Sequence, residues 1–354
     1  MDSLTQFTLG AAVTVALLGR NAGPRKAVLI GGLMGTLPDL DVFIPYEDPV
    51  DSFVLHRGAT HSIFVHALAT PVIGEALVRS VGALREHRVR VYATVFLVLA
   101  SHAIIDAMTV YGTRIFWPVW PDPVGVGSIF IIDPLYTVPI LIPVIWALCV
   151  RSWTARLARV LTIGLVFSTS YMALTVALQA YVEDRARTMF EQAGVEPTKV
   201  FALAAPFNTV LWKVIAIDEK HYHNLYLSLF DGDQNPSIYS HARRPDLLTC
   251  LDGAPAVQKL IWFSDGYLRA READGQILVA DLRMGLTPNY VFQFAVGREA
   301  DGQIEAIPPT RYLASRRSEA GDWTWLLDRL WGRPAVRKVE NGMAESSASV
   351  AAQC

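Results

Sequence analysis

The chain changes character near residue 182. Before it, apolar runs follow one another at Ser3–Gly19, Ala27–Leu37, Ser62–Val81, Val91–Val110, Ile129–Val150 and Val160–Val182, separated by short charged segments. A membrane-crossing helix needs about 20 mostly apolar residues. The pattern therefore predicts a membrane α-helical bundle over residues 1–182, with about four to six membrane segments, of which the first two are short enough to tilt or dip. Between the second and third runs, Asp41–Leu55 carries Glu47, Asp48, Asp51 and two prolines, and reads as a polar surface loop.

After residue 182 polar and apolar positions mix as in a water-exposed domain, and residues 183–334 read as mainly β. Short apolar stretches recur at Val210–Asp218, Leu225–Phe230, Leu260–Phe263, Tyr267–Arg271, Ile277–Leu282 and Tyr290–Val296. The heptapeptide Arg-Glu-Ala-Asp-Gly-Gln-Ile occurs at Arg271–Ile277 and again at Arg298–Ile304, and its Asp-Gly favours a two-residue hairpin turn. The tryptophan-rich stretch Trp323–Trp331 reads as a helix, either in the core of this domain or lying on a bilayer. Residues 335–354, rich in Ser and Ala toward the end, are expected to be a disordered tail.

Charge adds orientation. A net charge of −2 without a basic stripe excludes a broadly cationic nucleic-acid binder. With the N-terminus outside, the inside loops hold Arg20, Arg25, Lys26, Arg79, Arg85, Arg88, Arg90, Arg151, Arg156 and Arg159, whereas the short outside loops hold only Arg57 and Arg114. Short cytoplasmic loops concentrate Lys and Arg. The bias thus predicts a multi-pass membrane protein with residues 39–61 and the C-terminal domain on the outer side, which in a bacterium is the periplasm or exterior.

Candidate chemistry gathers on that outer side. Asp39 and Asp41 stand two residues apart, and His56 and His61 open the next apolar run. Inside the fourth run, His102 and Asp106 share a helix face at i, i+4 spacing. Ionisable residues within membrane segments are rare and face the protein interior or a water-filled cavity. Imidazole and carboxylate together suit a divalent ion, zinc first, with manganese or another ion as alternatives. The three cysteines, Cys149, Cys250 and Cys354, are too scattered for a Cys-based zinc site.

The strings Met1–Gln6, Leu37-Pro38-Asp39-Leu40-Asp41, His56-Arg57-Gly58-Ala59-Thr60-His61-Ser62, Ser101–Asp106, Tyr111–Arg114 and Ile132–Tyr136 resemble the bacterial membrane-bound metal-dependent hydrolase family of the YdjM type. The resemblance extends to about residue 230 through Ala205–Asn208 and Trp212. It implies a metal centre in the membrane domain and hydrolysis by metal-activated water.

These readings combine into one expectation. Asp39, Asp41, His56, His61, His102 and Asp106 would hold the metal, and the chain would cleave a phosphoester of a membrane lipid or lipid-linked substrate. Arg57 and Arg114 would clamp phosphate, or Arg57 would pair with a ligand carboxylate. Asp133 would serve as a base or orient a ligating histidine, unless it merely starts a helix with Pro134 at the first position. The alternatives are a non-enzymatic membrane protein with a structural metal and a soluble binding domain, or a transporter using the same residues as an ion path.

Overall fold

Each apolar run of the first half forms a helix, and local capping explains where several of them start. Asp2 accepts hydrogen bonds from the backbone N–H groups of Leu4 and Thr5 and starts α1, Ser3–Ala22. Gly23, at φ 85°, turns the chain into α2, Pro24–Gly35, with Pro24 at the first helical position. These two helices approach closely, since a Cβ on Gly10 would lie 2.3 Å from the Gly31 carbonyl oxygen. In the computed structural model, residues 1–300, 302–313, 319 and 321–344 are described.

Two units divide the chain. The first comprises Met1–Ile44, Arg57–Ala177 and Pro206–Asn208. After α2 it contains a 3-10 turn at Pro38–Phe43 and another at Ala59–His61, then α4, Ile63–Ser80, N-capped by Ser62. A 3-10 turn at Gly82–His87 leads into α5, Arg88–Met108, followed by α6, Pro134–Cys149, and the first part of α7, Ala155–Gln192. Among the described residues, three helical segments are long and apolar enough to cross a membrane: Ile63–Ser80, Gly82–Met108 and Ala155–Gln192. The apolar helix α6 is shorter, so the expected four to six segments reduce to three by length and composition. On α4 and α7, Leu68, Val72, Ile163, Val166 and Phe167 are exposed, leaving apolar flanks that suit lipid.

The second unit comprises Pro45–His56, Leu178–Ala205 and the chain from Thr209 on. Its first piece corrects the polar-loop expectation for Asp41–Leu55. Asp48 caps a short helix, α3, Pro49–Leu55, whose Val50, Phe53 and Val54 are buried. The Phe53 ring stacks on Phe292 at 4.3 Å and meets Phe263 edge-on at 4.8 Å. Helix α7 likewise runs past the apolar stretch that ends at Val182. Val182, Ala186, Met189 and Phe190 continue its apolar stripe and pack with Trp212, Val214, Leu225 and Leu227.

The β-rich expectation holds for this unit. Strands β1, Lys199–Ala204, β2, Leu211–Ile217, β3, His221–Ser228, and β4, Ile238–Ala242, form one antiparallel sheet in chain order. Two short helices follow, α8 at Pro245–Thr249 and α9 at Pro255–Phe263. The second replaces the strand expected at Leu260–Phe263. Pro255 opens it, and Val257, Leu260 and Phe263 recur every three residues as a buried helical stripe.

A second sheet contains β5, Leu268–Ala273, β6, Gln276–Asp281, β9, Gln293–Ala300, and β10, Gln303–Arg311, in the order β10-β9-β6-β5. Between β6 and β9 lies the small pair β7, Gly285–Leu286, and β8, Asn289–Tyr290. The first heptapeptide forms the expected hairpin, with Asp274 and Gly275 both at positive φ. The second repeat also closes a hairpin, Ala300 opposite Gln303, although its Asp301 lies outside the described residues.

Helix α10, Asp322–Leu330, takes the core role: Trp325 packs edge-on against Tyr226 at 4.7 Å. In the segment expected to be a disordered tail, Lys338–Ala344 forms a short helix, α11, anchored by buried Arg337 and Glu340. Residues 345–354 lie outside the described residues.

Candidate metal centre

Four potential ligands from three chain segments meet in the first unit. Asp39 comes from the 3-10 turn at Pro38–Phe43, His61 ends the next turn, and His102 and Asp106 lie one helical turn apart on α5. One ligand atom from each lies within 4.8 Å of the other three. His61 Nε2 is 3.1 Å from His102 Nε2, 3.4 Å from Asp39 Oδ1 and 3.4 Å from Asp106 Oδ2. His102 Nε2 is 3.5 Å from Asp39 Oδ1 and 3.9 Å from Asp106 Oδ2. A tetrahedral ion bound at ~2.0–2.1 Å separates its ligand atoms by roughly 3.3–3.4 Å. Most of these distances match that edge.

The surroundings set the tautomers that such an ion requires. His102 Nδ1 lies 2.7 Å from the Gly35 carbonyl oxygen and must donate to it, which turns the Nε2 lone pair toward His61. The close α1–α2 packing fixes the end of α2 where that carbonyl sits. Thr60 Oγ1 donates to Asp41 Oδ2 at 2.8 Å and so accepts from His61 Nδ1 at 3.0 Å. His61 Nε2 is thereby aimed at the same point as its partner. Neutral imidazoles held by hydrogen bonds at their other nitrogen are the usual metal-ligating form.

The electrostatics agree. Burial pushes the Asp39 carboxyl up, but the polar contacts with the His102 and His61 rings outweigh it and hold the group well below its ordinary range. Burial pulls His61 down, and hydrogen bonds with Asp106 and Asp39 outweigh that, raising its pKa. Both shifts mean that the pocket attracts positive charge. A proton on His61 meets that demand when no ion does.

Asp106 is surrounded by further donors. Its Oδ1 accepts from the Met1 amino group and, at 2.9 Å, from Gln6 Nε2. Its Oδ2 lies 3.1 Å from Arg57 Nε. Arg57 is buried, sits at φ 59°, and stacks over the Tyr111 ring at 4.9 Å. A non-glycine residue held there is strained, a condition that clusters at functional sites.

The remaining expected site residues lie elsewhere. Asp41 is not among the four. Its Oδ2 accepts from Arg57 N and Thr60 Oγ1 and lies 3.5 Å from His61 Nδ1, so it supports a ligand. His56 is the C-cap of α3 and belongs to the second unit. Arg57 takes the ion-pair position rather than that of a clamp facing open space. Arg114 donates from Nε to the Pro121 carbonyl at 3.0 Å, and its backbone N–H bonds the Arg57 carbonyl. Asp133 caps α6, accepting from Leu135 N, Tyr136 N and Tyr171 OH. No spacing or residue pattern marks Gln6, Gly35 or Thr60 as site residues. Gln6 stood within a string that carried the family resemblance, but no spacing rule connects it to a residue 100 positions away.

Neither a curated protein nor a solved structure matches the chain. The family described as YdjM inner membrane protein matches residues 1–182, the stretch that supplies all four clustered ligands. That match covers more than half of the chain, which therefore belongs to the YdjM inner membrane protein family.

Proposed function

We propose that the chain is a metal-dependent hydrolase that cleaves a phosphoester at the membrane–water boundary. The observation that carries this reading is the convergence of two imidazole nitrogens and two carboxylates in one buried pocket. A divalent ion held there, zinc first, supplies Lewis acidity toward a phosphoryl oxygen and acidifies water. The basic-residue count in short loops supports a site on the outer side of the inner membrane.

The protein's own residues divide the work. Asp39, His61 and His102 form the tight triangle, with sides of 3.1, 3.4 and 3.5 Å. Asp106 is the loosest corner, 3.9 Å from His102, and its Oδ2 lies 3.1 Å from Arg57 Nε. It suits accepting a hydrogen bond from a water and orienting it. Three protein donors with one open position is the catalytic pattern for zinc. A second reading has its own support, because four protein donors suffice to close a tetrahedral shell around a structural ion.

Asp106→Asn separates the two. The measurements are bound metal by elemental analysis and turnover on phosphorylated lipids and soluble phosphoesters. Hydrolysis predicts retained metal and lost turnover. Lost metal, in a protein whose wild type turns over nothing, would make the ion a structural tie.

A further inference from the structure

We infer that the metal centre receives its substrate from the bilayer, across an apolar rim formed by residues 37–44 and 116–120. The substrate is then an amphiphile whose phosphoester lies at headgroup depth and whose hydrocarbon part stays in the membrane. The chemistry performed on it rests on the hydrolase reading above, whereas the rim stands on its own geometry.

The turn that carries Asp39 sorts its side chains into three stripes. In a 3-10 helix residues i and i+3 eclipse. Pro38 and Asp41 form the buried stripe, and Asp39 shares the second with Val42. Leu37, Leu40 and Phe43 form the third, exposed by 41%, 54% and 80%. Of the four clustered side chains only Asp39 reaches the surface, at 24%, while His61, His102 and Asp106 are exposed by 0–1%. Any approach to the pocket therefore passes over this turn, and its outward face is apolar.

A second segment extends that face. Ile63 N donates to the Ile115 carbonyl at 2.9 Å and Ser62 Oγ donates to the Trp117 carbonyl, which ties the 115–120 loop beside His61. The loop has no charged residue, and Phe116, Val119 and Trp120 are all exposed. Tryptophan concentrates at membrane–water interfaces, where its ring sits among headgroups.

The rim leads directly to lipid-facing surface. Helix α4 begins at Ile63, and its Phe64, Leu68 and Val72 are exposed along the span. The pocket also lies near a span end. Asp106 is two residues and His102 six residues from the end of α5, or about 3 and 9 Å at ~1.5 Å per residue. An apolar rim at that depth fits the boundary between headgroups and acyl chains.

The test uses the full chain reconstituted in phosphatidylethanolamine–phosphatidylglycerol vesicles. A phospholipid with a photoreactive diazirine near the headgroup end of its acyl chain should label peptides covering 37–44 and 116–120. Labelling confined to the flanks of α4 and α7 would overturn the rim, whatever the activity. The double variant Leu40→Gln/Phe43→Gln, which removes the apolar face without adding charge, then addresses the route. Its metal content should be unchanged, and turnover of a long-chain phosphoester should fall at least about tenfold through a raised KM. Turnover of a short water-soluble phosphoester should stay within about twofold, because the variant adds no charge and only a hydrocarbon part loses apolar contact. Equal losses on both substrates, or on neither, would overturn the bilayer route. If wild type hydrolyses neither substrate, the hydrolase reading fails and the labelling still decides the rim.

Discussion

Two buried clusters in this protein use the same residue types to opposite effect. In the second unit, the fully buried Glu340 accepts from Asn224 Nδ2 and from His241 Nε2 on one oxygen. Its other oxygen accepts from Tyr226 OH at 2.9 Å and Arg337 Nη1 at 3.2 Å. Arg337 in turn makes a two-pronged contact with Asp322, at 2.8 and 3.0 Å. Donors there meet acceptors, and both oxygens of Glu340 are satisfied by side chains of the same unit. In the first unit, two imidazole lone pairs and two carboxylates point at one another. Acceptors that converge on acceptors need a cation between them, whereas acceptors that meet donors need nothing more. Residue type alone does not distinguish the two; hydrogen-bond direction does.

The sharpest way to break this comparison is to remove one member from each cluster. His102→Ala should reduce bound zinc or manganese from near one equivalent to near none, read by elemental analysis of the purified protein. Glu340→Ala should leave the metal untouched and destabilise the second unit by about 3–5 kcal/mol, the usual cost of breaking a buried ion pair. Denaturant or thermal unfolding would measure that cost. Metal loss in Glu340→Ala, or retention in His102→Ala, would erase the distinction.

Acid should also act on the second cluster. Burial raises the Glu340 carboxyl, but hydrogen bonds from His241 and Asn224 and the charge of Arg337 bring it below its ordinary 4.5. A carboxyl with a depressed folded pKa stabilises fully above the unfolded value and loses that contribution as pH falls through the folded one. Stability of the second unit should therefore drop below about pH 4.5, and Glu340→Gln should remove that part of the dependence. An unchanged acid slope in the variant would count against the network as the source.

How far the sequence could carry these conclusions differs between the clusters. His102 and Asp106 are joined by helical spacing inside an apolar run, so their pairing needs no structure. Asp39 and Asp41 are both acidic and two residues apart. Only the 3-10 turn, which puts them on different stripes, determines that Asp39 faces the imidazoles and Asp41 faces Thr60. The Glu340 network was not legible. A single acid near a Ser/Ala-rich end gives no signal, and its partners Asn224, Tyr226 and His241 are about 100 residues away. A different conflict hid α3 and α9, where a proline at the first turn and a local apolar stripe outweighed the look of a loop and a strand.

Asp41 tests the boundary between the two kinds of cluster from within the first. Its Oδ2 is held by donors, as the oxygens of Glu340 are, yet it acts on a ligand, because Thr60 relays its charge to His61 Nδ1. Groups that orient ligating histidines in this way typically change metal affinity by 10–100-fold. Asp41→Asn should weaken metal binding by about that factor without abolishing it. A chelator-competition titration would measure this. Affinity equal to wild type would mean that Asp41 only shapes the Arg57 turn.

Asp133 should give the smallest effect, and it examines the opposite possibility. Its three hydrogen bonds go to Leu135 N at 2.9 Å, Tyr136 N at 3.2 Å and Tyr171 OH at 2.9 Å, the pattern of a helix cap fixed by a tyrosine. It is not one of the four clustered ligands. Removing an N-cap costs about 1 kcal/mol. Asp133→Ala should thus lower stability by roughly that amount, slightly more for the lost tyrosine partner, and leave metal content and metal affinity alone. If affinity fell as far as in Asp41→Asn, Asp133 would have to act on a ligand through α6. The centre would then reach beyond the residues that now define it.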